Sequence, residues 1–278
     1  MTNDYKTIRY EERDRVAWVT LDRPEVHNAF NMEMLREIRH CWRSLRDNDD
    51  IGAVVVTGAG DKAFCAGLDR ADIADPDGVR DIPERTEIRV HGHTPLHFDD
   101  PSDWISPKTG ADLWKPMIAA VNGMACAGAF YLLGQVEFII ASDDATFFDP
   151  HTAYGMPAVY EPMSMLQRMP IGEVMRMTLM GDRERLSAAR AHQIGLVQEV
   201  VPRERLHEAA HRAAAIIADQ PDLAVQTTVR AVWYAQEMGY RQALDVARTL
   251  VQLGTGDEAL AEGQRRFGSG RRPPWTLR

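Results

Sequence analysis

The stretch from 116 to 131, PMIAAVNGMACAGAFY, constrains the fold of this chain more than any other. Pro116 opens a short apolar run, Met117 to Val121, which is too short for an independent helix and is closed by Asn122-Gly123. A run of that length with that stop predicts a buried strand followed by a turn. A patch of small residues follows, Ala125-Cys126-Ala127-Gly128-Ala129, then an apolar run from Phe130 to Leu133. Small residues ahead of a helical pattern let another backbone, or a ligand, come close to a helix N-terminus. Such an end carries unpaired N–H groups and the positive end of the helix dipole, which suits a negatively charged oxygen. Tight helix packing is the second reading of the same patch.

The chain is long enough, at 278 residues with 45% hydrophobic, for a large core in one domain, or in one domain with a helical appendage. A formal net charge of −9 argues against a nucleic-acid partner, since such proteins usually carry a basic excess. No apolar run approaches the roughly 18 residues of a membrane span. The start, MTNDYKTIRYEERDR, is charged and lacks the apolar segment of a secretory signal. Cys41, Cys65 and Cys126 are far apart, odd in number and form no CxxC pair, which points to free thiols in a reducing, cytoplasmic setting. Cys65 and Cys126 read as small fillers.

Taken in order, residues 5 to 21 alternate around Ile8, Val16, Trp18 and Leu21 and predict two antiparallel strands, ended by Asp22-Arg23-Pro24. Met34, Leu35, Ile38, Trp42 and Leu45 have helical spacing, with Asn31 placed to cap the helix. Val54 to Thr57 is a β-branched run of the kind buried on both faces of a sheet. Strand, helix, strand in this order implies a crossover unit and a mostly parallel sheet, an α/β fold. Residues 62 to 69, KAFCAGLD, read as a loop with Gly67 at a sharp turn. Residues 74 to 112 have weak periodicity and read as a flap beside a site, with some helix around 84 to 90. Residues 137 to 141 and 146 to 148 predict two more short strands, and helical patterns dominate from about 161. Loss of strand signal near 200 divides the chain into a core, 1–200, and a C-terminal helical region, 201–278, in which Leu206, Ala210, Ala213 and Ile217 share a stripe, as do Leu244, Ala247 and Val251. That region is a candidate assembly surface.

Four segments together resemble the crotonase (enoyl-CoA hydratase/isomerase) superfamily: LDRPEVHNAF at 21–30, KAFCAGLD at 62–69, AAVNGMACAGAF at 119–130 and LSAARAHQIGLVQEVVP at 186–202. The tail EGQRRFGSGRRPPW, 262–275, looks like a loosened version of that family's last helix. The resemblance implies a spiral of βαβ units with a C-terminal helical trimerisation region, a homotrimer or hexamer, and acyl-CoA thioester substrates. It implies no separate cofactor and no metal, coenzyme A being part of the substrate. It also implies that two backbone N–H groups, those of Leu68 and Gly128, hold the thioester oxygen and stabilise an enolate or oxyanion. Removing one such donor typically costs about 2.7–4 kcal/mol. Ala66, Leu68, Asp69 and Gly128 are the positions that would contact CoA through backbone groups. Asp69 has a second reading as a turn-former or N-cap. Arg271 and Arg272 are candidates for CoA phosphates, with solvated tail charge as the other reading.

The chain departs from the family pattern where hydratases carry two glutamates. The first position is Tyr131 and the second is His151; the carboxylate position of the family's isomerases is Val159, with Glu161 two residues on and Asp149 two residues before His151. Ordinary two-glutamate hydration is therefore not expected. His151 is a candidate general base, since imidazole titrates near neutral pH. Tyr131 is a candidate hydrogen-bond donor and Glu161 a candidate acid/base; packing and helix capping are their other readings. His91, His93 and His97, in HGHTPLH, read as solvated flap histidines, as a metal site or as an extra acid/base source. The implied function is an acyl-CoA lyase or isomerase of fatty acid metabolism working through a thioester enolate. The alternatives are a catalytically degenerate acyl-CoA binder or assembly partner of the same fold, or a thioester hydrolase.

Overall fold

The computed structural model describes residues 4–70, 101–270, 274, 275 and 277. The expected helix at 84–90, the three flap histidines, and Arg271 and Arg272 lie outside the described residues. The described strands are β1 Ile8–Arg13, β2 Val16–Leu21, β3 Ala53–Gly58, β4 Ala63–Cys65, β5 Met117–Val121, β6 Met124–Cys126, β7 Phe138–Ser142, β8 Thr146–Phe148, β9 Leu186–Ser187 and β10 Glu199–Val201. The described helices are α1 Met32–Arg46, α2 Pro101–Ile105, α3 Pro107–Ala111, α4 Ala129–Leu133, α5 Tyr160–Met165, α6 Ile171–Met180, α7 Ala188–Gln193, α8 Leu206–Ala218, α9 Asp222–Glu237, α10 Tyr240–Gly254 and α11 Asp257–Gly268.

Two sheets organise the first part of the chain. A six-stranded sheet runs β1-β2-β3-β5-β7-β10, and a four-stranded one runs β4-β6-β8-β9. Only the edge pairs β1/β2 and β8/β9 are antiparallel. All other pairings are parallel, as a chain of crossover units requires. The period of two in β2 and β3 explains their unbroken apolar runs. Val19, Leu21, Val54 and Val56 enter one core with Leu35, Ile38 and Trp42 of α1. Val16, Trp18, Ala53 and Val55 enter a second core on the other face, covered by Leu206, Ala210 and Ala214 of α8. Asn31 caps α1 as expected, accepting from the Met34 N–H at 2.9 Å. Glu37 of the same helix, buried, accepts from the N–H groups of Lys6, Thr7 and Ile8 and so holds the start of β1.

Several expectations are corrected. Residues 63–65 are a strand, β4, rather than loop, and 124–126 form its neighbour β6. Residues 101–111 are two short helices rather than open flap, with Ile105 buried and its carbonyl accepting from the Trp42 indole at 3.0 Å. The stripe of α8 is Leu206, Ala210, Ala214 and Ala218, with Ala213 and Ile217 at its edge. The first compact unit ends at Ala218, where α8 closes the back of the large sheet. The second unit, from Asp219 onward, contains the α9–α10 hairpin, where Gly254 lets α10 come against Thr227 of α9. No described helix is long and apolar enough to cross a membrane.

Candidate active site

The loops after β2 and β4 are tied together. Asn28 is buried in a left-handed conformation and donates to the carbonyls of Ala59 and Ala63, both at 2.9 Å. Arg23 donates through Nη1 to the Ala29 carbonyl at 2.8 Å and to the Asp69 carboxylate at 2.8 Å. Phe30 then bridges the second loop: its N–H donates to the Gly67 carbonyl at 2.8 Å and its carbonyl accepts from the Asp69 N–H at 2.9 Å. In a parallel bridge of this kind Leu68, between those two residues, turns its own N–H away from Phe30. Gly67 makes this possible, since it sits at φ +87°. A methyl group there would lie 2.8 Å from the Ala127 Cβ and 2.9 Å from the Gly128 nitrogen.

The other side of the site comes from β6. Ala127, at φ +50°, turns the chain sharply into Gly128 and α4. Left-handed backbone at a non-glycine residue costs roughly 1–2 kcal/mol, so packing against Gly67 holds this turn in place. The Leu68 nitrogen lies 3.4 Å from where a Gly128 side chain would begin. Among the described residues no carbonyl takes the N–H of either Leu68 or Gly128. Both residues line an open cleft of about 1170 Å³. The N–H groups of Ala66 and Asp69, by contrast, are taken by the carbonyls of His27 and Phe30. The Asp69 carboxylate is held by Arg23, so its structural reading is the one the geometry favours.

His151 and Glu161 line the same cleft. Asp149, fully buried at the end of β8, accepts from the His151 backbone N–H at 3.0 Å and faces its Nδ1 at 2.5 Å. The other ring nitrogen, Nε2, lies 3.7 Å from the Glu161 carboxylate, which α5 brings in from its first turn. Glu161 is 4% exposed, whereas Val159, at the position expected for an isomerase carboxylate, faces out at 38%. The hydrogen bond to Asp149 raises the His151 pKa above its ordinary value, against the opposing effect of burial. The imidazole is thus oriented by one carboxylate and offers its free nitrogen to a point that a second carboxylate also reaches. That is an acid/base pair in form. These three side chains are also of metal-ligating types, with one donor atom of each within 4.8 Å of the others.

Tyr131 is not brought to this point. It packs half-buried on the core from α4, with its ring centroid 6.4 Å from that of Tyr160, and does not line the cleft. Cys126 does line it, but burial pushes its thiol up to about 12, so it is no thiolate nucleophile. Sequence reading noted Asp149 two residues before His151 but gave it no role. The Asp-Pro-His order, with two residues from carboxylate to imidazole at a strand end, was the available signal.

The model of the enoyl-CoA hydratase/isomerase family matches residues 11–86 and 108–278. The chain belongs to this family. As a member of the enoyl-CoA hydratase/isomerase family, it is 32% identical over 267 residues to the (E)-benzylidenesuccinyl-CoA hydratase of Thauera aromatica, covering 96% of this chain and 97% of that protein. It is 31% identical over 264 residues to the 1,2-epoxyphenylacetyl-CoA isomerase of Escherichia coli, covering 94% and 95%. An enoyl-CoA hydratase/isomerase structure from Mycobacterium paratuberculosis superposes with a TM-score of 0.81 at 32% identity, over 99% of this chain and all of that one. The expected crotonase-type fold is therefore the observed one, C-terminal helices included.

Proposed function

We propose that this chain is an acyl-CoA lyase or isomerase in which a histidine–glutamate pair replaces the two glutamates of ordinary hydration. The observation that carries this reading is the cleft that collects the N–H groups of Leu68 and Gly128 together with His151 and Glu161. The thioester oxygen sits between the two amides, which are fixed before the reaction and meet the negative charge as the enolate forms. In hydration, a water oxygen bonds to Cβ while its proton passes to Glu161, and the imidazolium of His151 gives a proton to Cα. In isomerisation the same pair removes a proton from one carbon of the acyl chain and returns one to another. Asp149 acts through His151 as a positioning residue. Ala66 and Asp69, which line the same cleft, are assigned to the CoA arm. Coenzyme A enters as part of the substrate, and no metal takes part.

The test is turnover of crotonyl-CoA and of a 3-enoyl-CoA by the purified protein beside His151→Ala and Glu161→Gln. Each variant is expected to lower kcat/KM by about 10²-fold or more while still binding thioester. Turnover untouched by both changes would remove the pair from the mechanism. Tight binding with no product from a panel of thioesters would favour the degenerate binder, and release of free CoA would favour the hydrolase.

We further propose assembly into a homotrimer or hexamer through the C-terminal helices. Their exposed apolar residues, among them Leu223, Val232, Leu244 and Val251, support this. Three buried free thiols support a cytoplasmic, reducing setting.

A further inference from the structure

Two guanidinium groups enter the cleft without a role so far. Arg70 follows directly on the Leu68 loop, and its Cζ lies 3.2 Å from the centre of the Tyr154 ring. Arg185 approaches from just before β9, its Cζ 4.5 Å from the centre of the Phe148 ring. Stacking fixes the face of a guanidinium and leaves its N–H edge free, the edge that takes a carboxylate with two parallel hydrogen bonds. Neither arginine has a carboxylate partner among the described residues. The acids beside them in sequence are each claimed by another cation: Asp69 by Arg23 at 2.8 Å, Asp182 by Arg183 at 3.5 Å, and Glu184 by Arg176 at 2.6 Å. In a chain of net charge −9, two cations on one cleft without a carboxylate partner among the described residues are conspicuous.

Their place in the cleft is the reacting end. Arg70 stacks on Tyr154, the last residue of the turn that begins at His151, and Arg185 stacks on Phe148, the neighbour of Asp149. The phosphates of a bound CoA are separated from the thioester carbon by the whole pantetheine arm. A negative group that meets these arginines while the thioester oxygen lies between Leu68 and Gly128 therefore belongs to the acyl part.

We propose that Arg70 and Arg185 bind a second anionic group on the acyl chain, so that this site is built for CoA monothioesters of dicarboxylic acids. This rests on the acyl-CoA reading above. The aromatic rings that carry the two guanidiniums form the apolar wall for the carbon chain between the two ends.

Calorimetric titration with glutaryl-CoA and with butyryl-CoA, which differ by the distal carboxylate, tests it. The unchanged protein is expected to bind glutaryl-CoA about tenfold more tightly or better. In Arg70→Gln and Arg185→Gln the ratio is expected to shrink, and to reach about one in the double variant, with butyryl-CoA affinity unchanged. Arg→Lys at either position keeps the charge but not the planar fork, and gives an intermediate ratio; it also serves if a glutamine variant does not fold. A ratio near one in the unchanged protein overturns the proposal. So does an equal loss for both thioesters, which would put the arginines on CoA phosphates. Turnover is not part of the readout, so a protein that binds but converts no thioester refutes the proposed function and leaves this test standing.

Discussion

At the scale of single residues the site turns on how Asp149 holds His151. Its Oδ1 takes both the backbone N–H and the ring of the same histidine. That bond raises the imidazole pKa above the ordinary 6.5. Asp149→Asn removes the charge, so the limb of the pH–rate profile that reports His151 is expected to move to lower pH. A limb that stays in place would separate Asp149 from the reacting histidine. The same linkage has a stability sign. A raised folded pKa means the pair's contribution is complete below about pH 6.5 and fades as pH rises through the folded value. Asp149→Asn is therefore expected to lower Tm more at about pH 5.5 than at about pH 8.5. His151 and Glu161 could be read from the sequence because motif spacing marks the end of β8 and the turn into α5. Asp149 could be noted by its position but not given its role, because that lies in burial and in a contact two residues away, neither of which spacing reveals. Tyr131 holds its expected place on α4, and its ring packs toward Tyr160 and the core.

At the scale of elements the proposed catalytic geometry is a matter of two loops pressed together. Gly67 is where they touch, and a methyl group there meets both Ala127 and the Gly128 nitrogen. Gly67→Ala is expected to push the two amides apart and lower kcat about 10²-fold, with thioester affinity reduced far less; steady-state kinetics beside calorimetry would show it. Asn28 bears on the same arrangement from below, since its side chain satisfies two buried carbonyls. Asn28→Ala leaves the Ala59 carbonyl without this donor and the Ala63 carbonyl with the longer bond from the Asn122 amide at 3.4 Å, and is expected to cost about 2 kcal/mol in urea unfolding; a loss under 1 kcal/mol would contradict the anchoring role. Long elements such as α1 and β3 were readable because their periods repeat. The three-residue strands β4 and β6 were not, because they are too short for any period and are strands by pairing within the small sheet.

At the scale of the whole molecule the fold separates structural from chemical duty. The large sheet carries the two cores, and the small sheet ends at the cleft, where β4, β6 and β8 deliver Leu68, Gly128 and Asp149 in turn. The C-terminal helices keep much apolar surface exposed. Light scattering at micromolar concentration is expected to give three or six times the chain mass of 31.3 kDa. A monomer at that concentration would contradict the assembly reading. The account as a whole depends on the amides of Leu68 and Gly128 meeting a thioester oxygen. The most direct measurement is the infrared difference spectrum of a bound acyl-CoA labelled with ¹³C at the thioester carbonyl. The stretch is expected at lower frequency than in water for the unchanged protein and to return toward the free value in Gly67→Ala. A carbonyl band unshifted in the unchanged protein would contradict the account.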